Sequence, residues 1–153
     1  MCDYSLCGIP NRLALERENL IVYRFPTGSM GLASPTDLKQ PEQASDRSIW
    51  AQFKRVFLGE PHRNVVPAVC IPPGAYLVLS DIPEDLRRQW RVEENEGVVF
   101  VQTSANVNSY RDAFQFHDGR LIRLQDLREG MQVEVLSLAG AFMPAEEDVL
   151  ALL

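Results

Sequence analysis

Histidine and cysteine are scarce in this chain, with two and three copies among 153 residues. Most metal centres and nucleophile–base pairs draw on these two side chains, so any such site has few combinations to choose from. Basic runs are also missing: the fifteen Lys and Arg residues are scattered against twenty-one Asp and Glu, for a net charge of −6. That balance excludes a binder of phosphate backbones and, with it, nucleic acid as a partner. No stretch approaches the roughly 20 consecutive apolar residues of a membrane span, and the N-terminus lacks the basic-then-hydrophobic order of a signal peptide. The expectation is a cytoplasmic protein without a membrane partner. An odd cysteine count in a reducing compartment points to free thiols. Internal repeats and low-complexity segments are absent.

What remains is an ordinary globular composition, 46% hydrophobic and 24% charged, long enough for one domain over 1–153 that buries a core without staples. Arg12 to Glu16 and Asn19 to Phe25 read as a β-hairpin split by Arg17-Glu18. Prolines at 26, 35 and 41 and glycines at 28 and 31 break every period from Pro26 to Ser45, which predicts a long surface loop at 26–45. Ile49, Trp50, Phe53, Val56 and Phe57 form an apolar stripe at helical spacing behind a cap at Ser45 or Asp46. Val65 to Ile71 and Ala75 to Ser80 form a second hairpin around Pro72-Pro73-Gly74, whose order suits a type II turn. Pro83 opens a short amphipathic helix carrying Leu86 and Trp90, with Arg87, Arg88 and Arg91 on other faces.

Gly97 to Thr103 is a near-continuous apolar run and predicts a central, doubly covered strand. The strongest local signal is Ala113 to His117 and Arg120 to Leu124 around Asp118-Gly119, a dipeptide that favours a tight type I′ hairpin. Met131, Val133 and Val135 alternate with Gln132 and Glu134 as a further strand, preceded by one short turn between Leu124 and Leu127. Acidic residues at 146–148 predict a short C-terminal helical tail at 144–153, available as a docked tail or as a homo-oligomer contact. Seven or eight strands, two or three short helices and no β-α alternation give a mainly β fold, an antiparallel β barrel or an α+β sheet.

Candidate chemistry concentrates at the thiols. Removal of Met1 would leave Cys2 with a thiol and a free α-amine, a nucleophile carrying its own base. In that single residue the chain resembles N-terminal nucleophile hydrolases; Asp3 follows it where their amidotransferase members usually carry glycine. Cys2, Cys7 and Cys70 with His62 make a donor set suited to zinc or copper(I), although Cys2 and Cys7 meet only the loose end of the usual ligand spacing and Cys70 stands alone. The competing reading places Cys2, Tyr4 and Leu6 on the inner face of a first strand and Cys70 in the core, where cysteine behaves as a small hydrophobe. A histidine, His62 or His117, steered by Asp3, Asp81 or Asp118 offers an alternative base for Cys2 or Cys7. Thr27-Gly28-Ser29-Met30-Gly31 carries the composition of an anion-cradling loop but lacks the Gly-Lys ending and following helix of a P-loop. The acidic clusters read as solvated faces. The arginines at 87, 88 and 91 suit a carboxylate or phosphate, or ordinary pairing with Glu84, Asp85 and Glu93.

The stretch from Asp118-Gly119 to Val135 resembles the hairpins of Hint-type and small SH3-like barrels. It covers under a fifth of the chain, and no activity is carried over from it. Three functions follow as expectations. The first is a small soluble β-rich domain that binds a small molecule or protein near the 26–45 loop and the N-terminal segment. The second is a thiol hydrolase or transferase with Cys2 as nucleophile. The third is a metal-binding protein using Cys2, Cys7, His62 and Cys70.

Overall fold

A computed structural model describes residues 6–39, 65–106 and 108–142. Nine strands organise them: β1 (Asn11–Leu13), β2 (Asn19–Arg24), β3 (Met30–Ala33), β4 (Ala68–Cys70), β5 (Tyr76–Ser80), β6 (Glu96–Gln102), β7 (Asp112–Phe116), β8 (Leu121–Arg123) and β9 (Gln132–Ser137). Helices α1 (Pro35–Leu38) and α2 (Glu84–Trp90) and two 3₁₀ turns, Leu124–Asp126 and Ala139–Phe142, complete the described elements. Seven strands form one antiparallel sheet in the order β3-β2-β9-β5-β6-β7-β8, while β1 and β4 make a separate parallel pair. The mainly β expectation is met. No helix among the described residues is long and apolar enough to cross a membrane.

Alternation drives the sheet. Leu20 and Val22 of β2, Leu77 and Leu79 of β5, Val98 and Phe100 of β6, Phe114 and Phe116 of β7, and Val133 and Val135 of β9 all point to one buried face. Residues between them, such as Ile21, Val78, Val99, Gln115 and Glu134, are half-buried on the other. Period-two alternation fixes register, because a one-residue slip would turn the whole apolar row outwards. Phe100 and Phe114 meet edge to face with ring centroids 5.7 Å apart. A smaller cluster of Leu6, Phe25, Ala33 and Ala68 joins the β1–β4 pair to the edge of the large sheet.

The sheet curls into a half-barrel, and a repeated backbone device accounts for the curl. At four places a residue with positive φ donates its N–H to a facing carbonyl, while the facing residue's N–H bonds to the carbonyl one position further on. The pairs are Arg17-Glu18 opposite Val135, Gly28-Ser29 opposite Phe25, Gly119-Arg120 opposite Phe116, and Gly130-Met131 opposite Val22. Each is a bulge placing two residues against one, which bends the strand and raises its right-handed twist. The two edges then approach. Gln125, just after β8, accepts from Met30 N–H at 2.9 Å and donates its Nε2 to Met30 C=O at 2.9 Å, so its primary amide pairs with β3 as a strand peptide would.

Several local expectations are corrected. β1 does not pair with β2 but runs parallel to β4, and β2 lies between β3 and β9. The bulge at Arg17 feeds the chain from one sheet into the other instead of folding it back. Likewise β4 and β5 do not pair, although Gly74 at φ 92 and Ala75 N–H on Pro72 C=O make the expected turn; that turn carries the chain between sheets. The 26–45 segment is not one surface loop, because Phe25 to Ser29 is a hairpin turn and Met30–Ala33 is a buried strand followed by α1. β6 is central, yet Val99 and Val101 on its outer face are only half-buried. The Asp118-Gly119 hairpin forms with a different turn: Gly119 alone has positive φ, and His117 and Asp118 are the central residues of a three-residue loop. A type I′ turn needs positive φ at both central positions. The helical stripe at 49–57 and the tail at 144–153 lie outside the described residues.

Candidate functional site

The sequence candidates do not converge where they are described. Cys7 is a free, exposed thiol. Cys70 is buried on β4 and disulfide-bonded, which corrects the expectation of a free thiol there and removes it as a thiolate ligand. An odd count forbids complete pairing but not one bridge. Its buried position keeps the core role assigned to it. Cys2 and His62 lie outside the described residues, and no group of three or more His, Cys, Asp and Glu gathers among the described ones. His117 is exposed in the hairpin loop. The Thr27 to Gly31 segment is consumed by the β2–β3 hairpin: Phe25 N–H bonds to Ser29 C=O, and Gly31 sits under the Phe25 ring.

A concave site does form elsewhere, between α2 and β8. Pro83, at φ −57, precedes the first turn of α2, and the helix ends on Arg91 in the left-handed region, with its N–H on Arg87 C=O. This short helix turns Leu86 and Trp90 towards the core beside Phe116 and Ile122. Trp90 and Phe116 are tilted against each other at 6.3 Å between centroids. A bidentate fork fixes the start of the helix: Arg128 donates Nη1 and Nη2 to the Asp85 carboxylate at 3.0 and 2.6 Å. The same fork holds the Asp85 carboxyl below its ordinary pKa.

Between helix and strand lies an open groove of roughly 670 Å³. Leu86, Gln89 and Trp90 line the helix side, and Arg120, Leu121, Ile122 and Arg123 the strand side, with Phe116 and Asp126 at its ends. Successive strand residues point to opposite faces, so a groove that meets Leu121, Ile122 and Arg123 in turn follows the free edge of the strand and not one face.

Charge in the groove is balanced and oriented. The Arg120 guanidinium donates Nε to Asp118 at 2.6 Å and Nη1 to Trp90 C=O, and its carbon stands 5.5 Å from the Phe116 ring centre. Asp118 also receives the Arg120 backbone N–H at 3.0 Å. That backbone bond first, and the guanidinium second, lower the pKa of Asp118. Arg123 donates Nε and Nη2 to Asp126 at 2.8 and 2.9 Å, which raises its own pKa. Planar forks of this kind fix orientation. Arg120 Nη2 and Arg123 Nη1 carry no bond to described residues.

Sequence reasoning missed this site because its walls lie some 30 residues apart in the chain and neither is a motif. The available signal was the apolar pair Leu121-Ile122 set between Arg120 and Arg123. No family model, curated protein or solved structure matches the chain.

Proposed function

We propose that this chain is a small β-rich binding domain whose ligand or partner occupies the groove between α2 and β8. The observation that carries this reading is the groove itself. Its volume falls in the roughly 300–1,000 Å³ range of ligand sites, and it combines an apolar and aromatic wall with a few directed polar groups. Trp90, Phe116, Leu86 and Ile122 supply the wall; Gln89, Arg120 and Arg123 supply the donors. A ligand that fits has an apolar body and a hydrogen-bond acceptor, carboxylate by preference. The groove is not lined by the 26–39 segment, so the reading keeps a binding role and moves its location.

Naphthylacetate, an apolar ring system bearing one carboxylate, serves as the probe. Titrated into the isotope-labelled full chain, it is expected to shift the Trp90 indole N–H and the amides of residues 120–123 together and saturably. Trp90→Ala, checked for retained fold by circular dichroism, is expected to weaken that binding at least tenfold. Absence of shifts at millimolar probe, or shifts centred away from α2 and β8, overturns the reading.

A further inference from the structure

The groove runs along a strand edge, and the backbone groups on that edge specify more than a cavity does. In the hairpin loop, Phe116 N–H bonds to Arg120 C=O, and the register sets Gln115 opposite Leu121, Phe114 opposite Ile122 and Ala113 opposite Arg123. Bonded and non-bonded pairs alternate along an antiparallel ladder. Ile122 therefore turns its N–H and C=O to β7, while Leu121 N–H, Leu121 C=O and Arg123 N–H face the groove. The strand order leaves β8 without a second neighbour among the described residues. An open edge of this kind is a template for another strand.

From this placement, and resting on the groove reading above, we infer that the partner is an extended peptide segment that adds to β8 as an antiparallel strand. Helix α2 forms the facing wall of the same groove, which favours a lone segment over the edge of a second copy's sheet. The register dictates the segment's chemistry. Its residue opposite Ile122 points to the side where Leu86, Trp90 and Phe116 lie and is apolar. Its residue opposite Arg123 lies beside the guanidinium whose Nη1 is uncommitted and is acidic. Its residue opposite Leu121, exposed by 53%, is apolar. Read from N to C in the antiparallel sense, the recognised order is acidic, apolar, apolar. Main-chain bonds supply affinity and alternate side chains supply selectivity in this mode of recognition.

The test uses a blocked pentapeptide, glycine–glutamate–leucine–valine–glycine, against the full chain. Saturable shifts of the Leu121 and Arg123 amides are expected, with binding weakened at least tenfold when the valine amide, which would donate to Leu121 C=O, is N-methylated. Replacing the glutamate by glutamine is expected to weaken binding several-fold to the wild-type chain and not to Arg123→Ala, a coupling that a loss of fold cannot produce. If naphthylacetate binds the groove while the N-methylated and plain peptides bind equally, strand addition is overturned and the groove reading stands. If neither probe binds, both fall. Concentration-dependent self-association that shifts the same amides assigns the edge to a second copy and refutes the peptide.

Discussion

Gln125 is expected to be worth more to this fold than its half-buried position suggests. Its side-chain amide closes both polar groups of Met30 at 2.9 Å, and Met30 is only 3% exposed. Gln125→Met keeps the length and apolar reach of the side chain but deletes both partners. The Met30 N–H and C=O are then left in a dry setting, at about 1–3 kcal/mol each, so a total loss of about 2–6 kcal/mol follows if water does not enter. With a urea m-value of about 2 kcal/mol/M, the unfolding midpoint falls by about 1–3 M. Gln125→Glu separates the two bonds. A carboxylate still accepts from the Met30 N–H but faces the Met30 carbonyl with no hydrogen to donate, so its pKa in the folded state rises above the unfolded value. The neutral form is favoured by folding. The deficit relative to wild type is therefore small below the ordinary glutamate range and grows as pH rises through the raised folded value. Urea unfolding of both variants from pH 3.5 to 8, with amide exchange at Met30, checks this. A Gln125→Met midpoint within 0.2 M of wild type, or a Gln125→Glu deficit that does not change with pH, would refute the view that this amide closes the sheet.

Three further outcomes follow. Gly31→Ala sets a Cβ 2.7 Å from the Phe25 ring and 3.0 Å from Leu6, both buried, and is expected to cost about 1–3 kcal/mol in chemical denaturation; an unchanged midpoint counts against the packing described. Glu18 accepts from Arg12 Nη1 at 3.1 Å and from Leu15 N–H at 2.9 Å, and the Arg12 bond first lowers its pKa. Its contribution, on the order of 1 kcal/mol, is present in full above the ordinary glutamate range and is lost as pH falls through the lowered folded value, so Glu18→Gln should trail wild type at pH 7 and match it near pH 2; a constant gap speaks against the pair. Iodoacetamide on the native chain should label Cys7 and spare Cys70 until reductant and denaturant are both present, read by peptide mass mapping; native labelling of Cys70 argues against its bridge.

Strand existence was legible, while strand partnership was legible only at the Asp118-Gly119 hairpin. Leu77 and Leu79, or Val133 and Val135, announce a half-buried strand through period two alone. Which strand lies beside it depends on turns, and turn residues are read through composition, which does not distinguish a hairpin from a crossing. Arg17 shows the difficulty. It occupies the left-handed region at φ 65 without being glycine, so nothing in Glu16-Arg17-Glu18 marks a bulge that reroutes the chain. Phe25 to Ser29 shows the opposite error. Pro26 and Gly28 suggest an irregular loop, yet they build the same three-residue turn as Phe116 to Arg120, with a phenylalanine before and a glycine at the bulge in both. Met30–Ala33 is only four residues long and contains a glycine; Met30 and Leu32 are buried in the main core, and Gly31 lies under the Phe25 and Leu6 side chains. Among the described residues the candidate chemistry does not gather, for a related reason: sequence spacing constrains ligands only when they share one turn, and Cys7 and Cys70 do not.

The two edge hairpins, alike in their turns, end differently, and that difference gives the groove its character. Four bulges curl seven strands until β3 and the end of β8 come within reach of one side chain. A half-barrel of this kind must either join its last two edges or answer for their unpaired peptide groups. At Met30 it answers with Gln125, because the chain leaves β8 through a 3₁₀ turn that points an amide at β3. Along β8 itself no side chain among the described residues does so. There the Asp85–Arg128 fork holds α2, and α2 offers Leu86, Gln89 and Trp90 as the facing wall of the groove beside β8. Among the described residues no backbone hydrogen bond joins the helix to that edge. Arg120, whose bond to Trp90 C=O ties strand to helix, keeps the two walls in register. Cutting that tie with Arg120→Met, which preserves the aliphatic stem over Phe116, should loosen the groove and leave the sheet intact. Faster amide exchange in residues 86–91 with unchanged exchange in β5, β6 and β9 is the expected pattern; uniform acceleration would mean that α2 is part of the core and not a wall set beside an open edge.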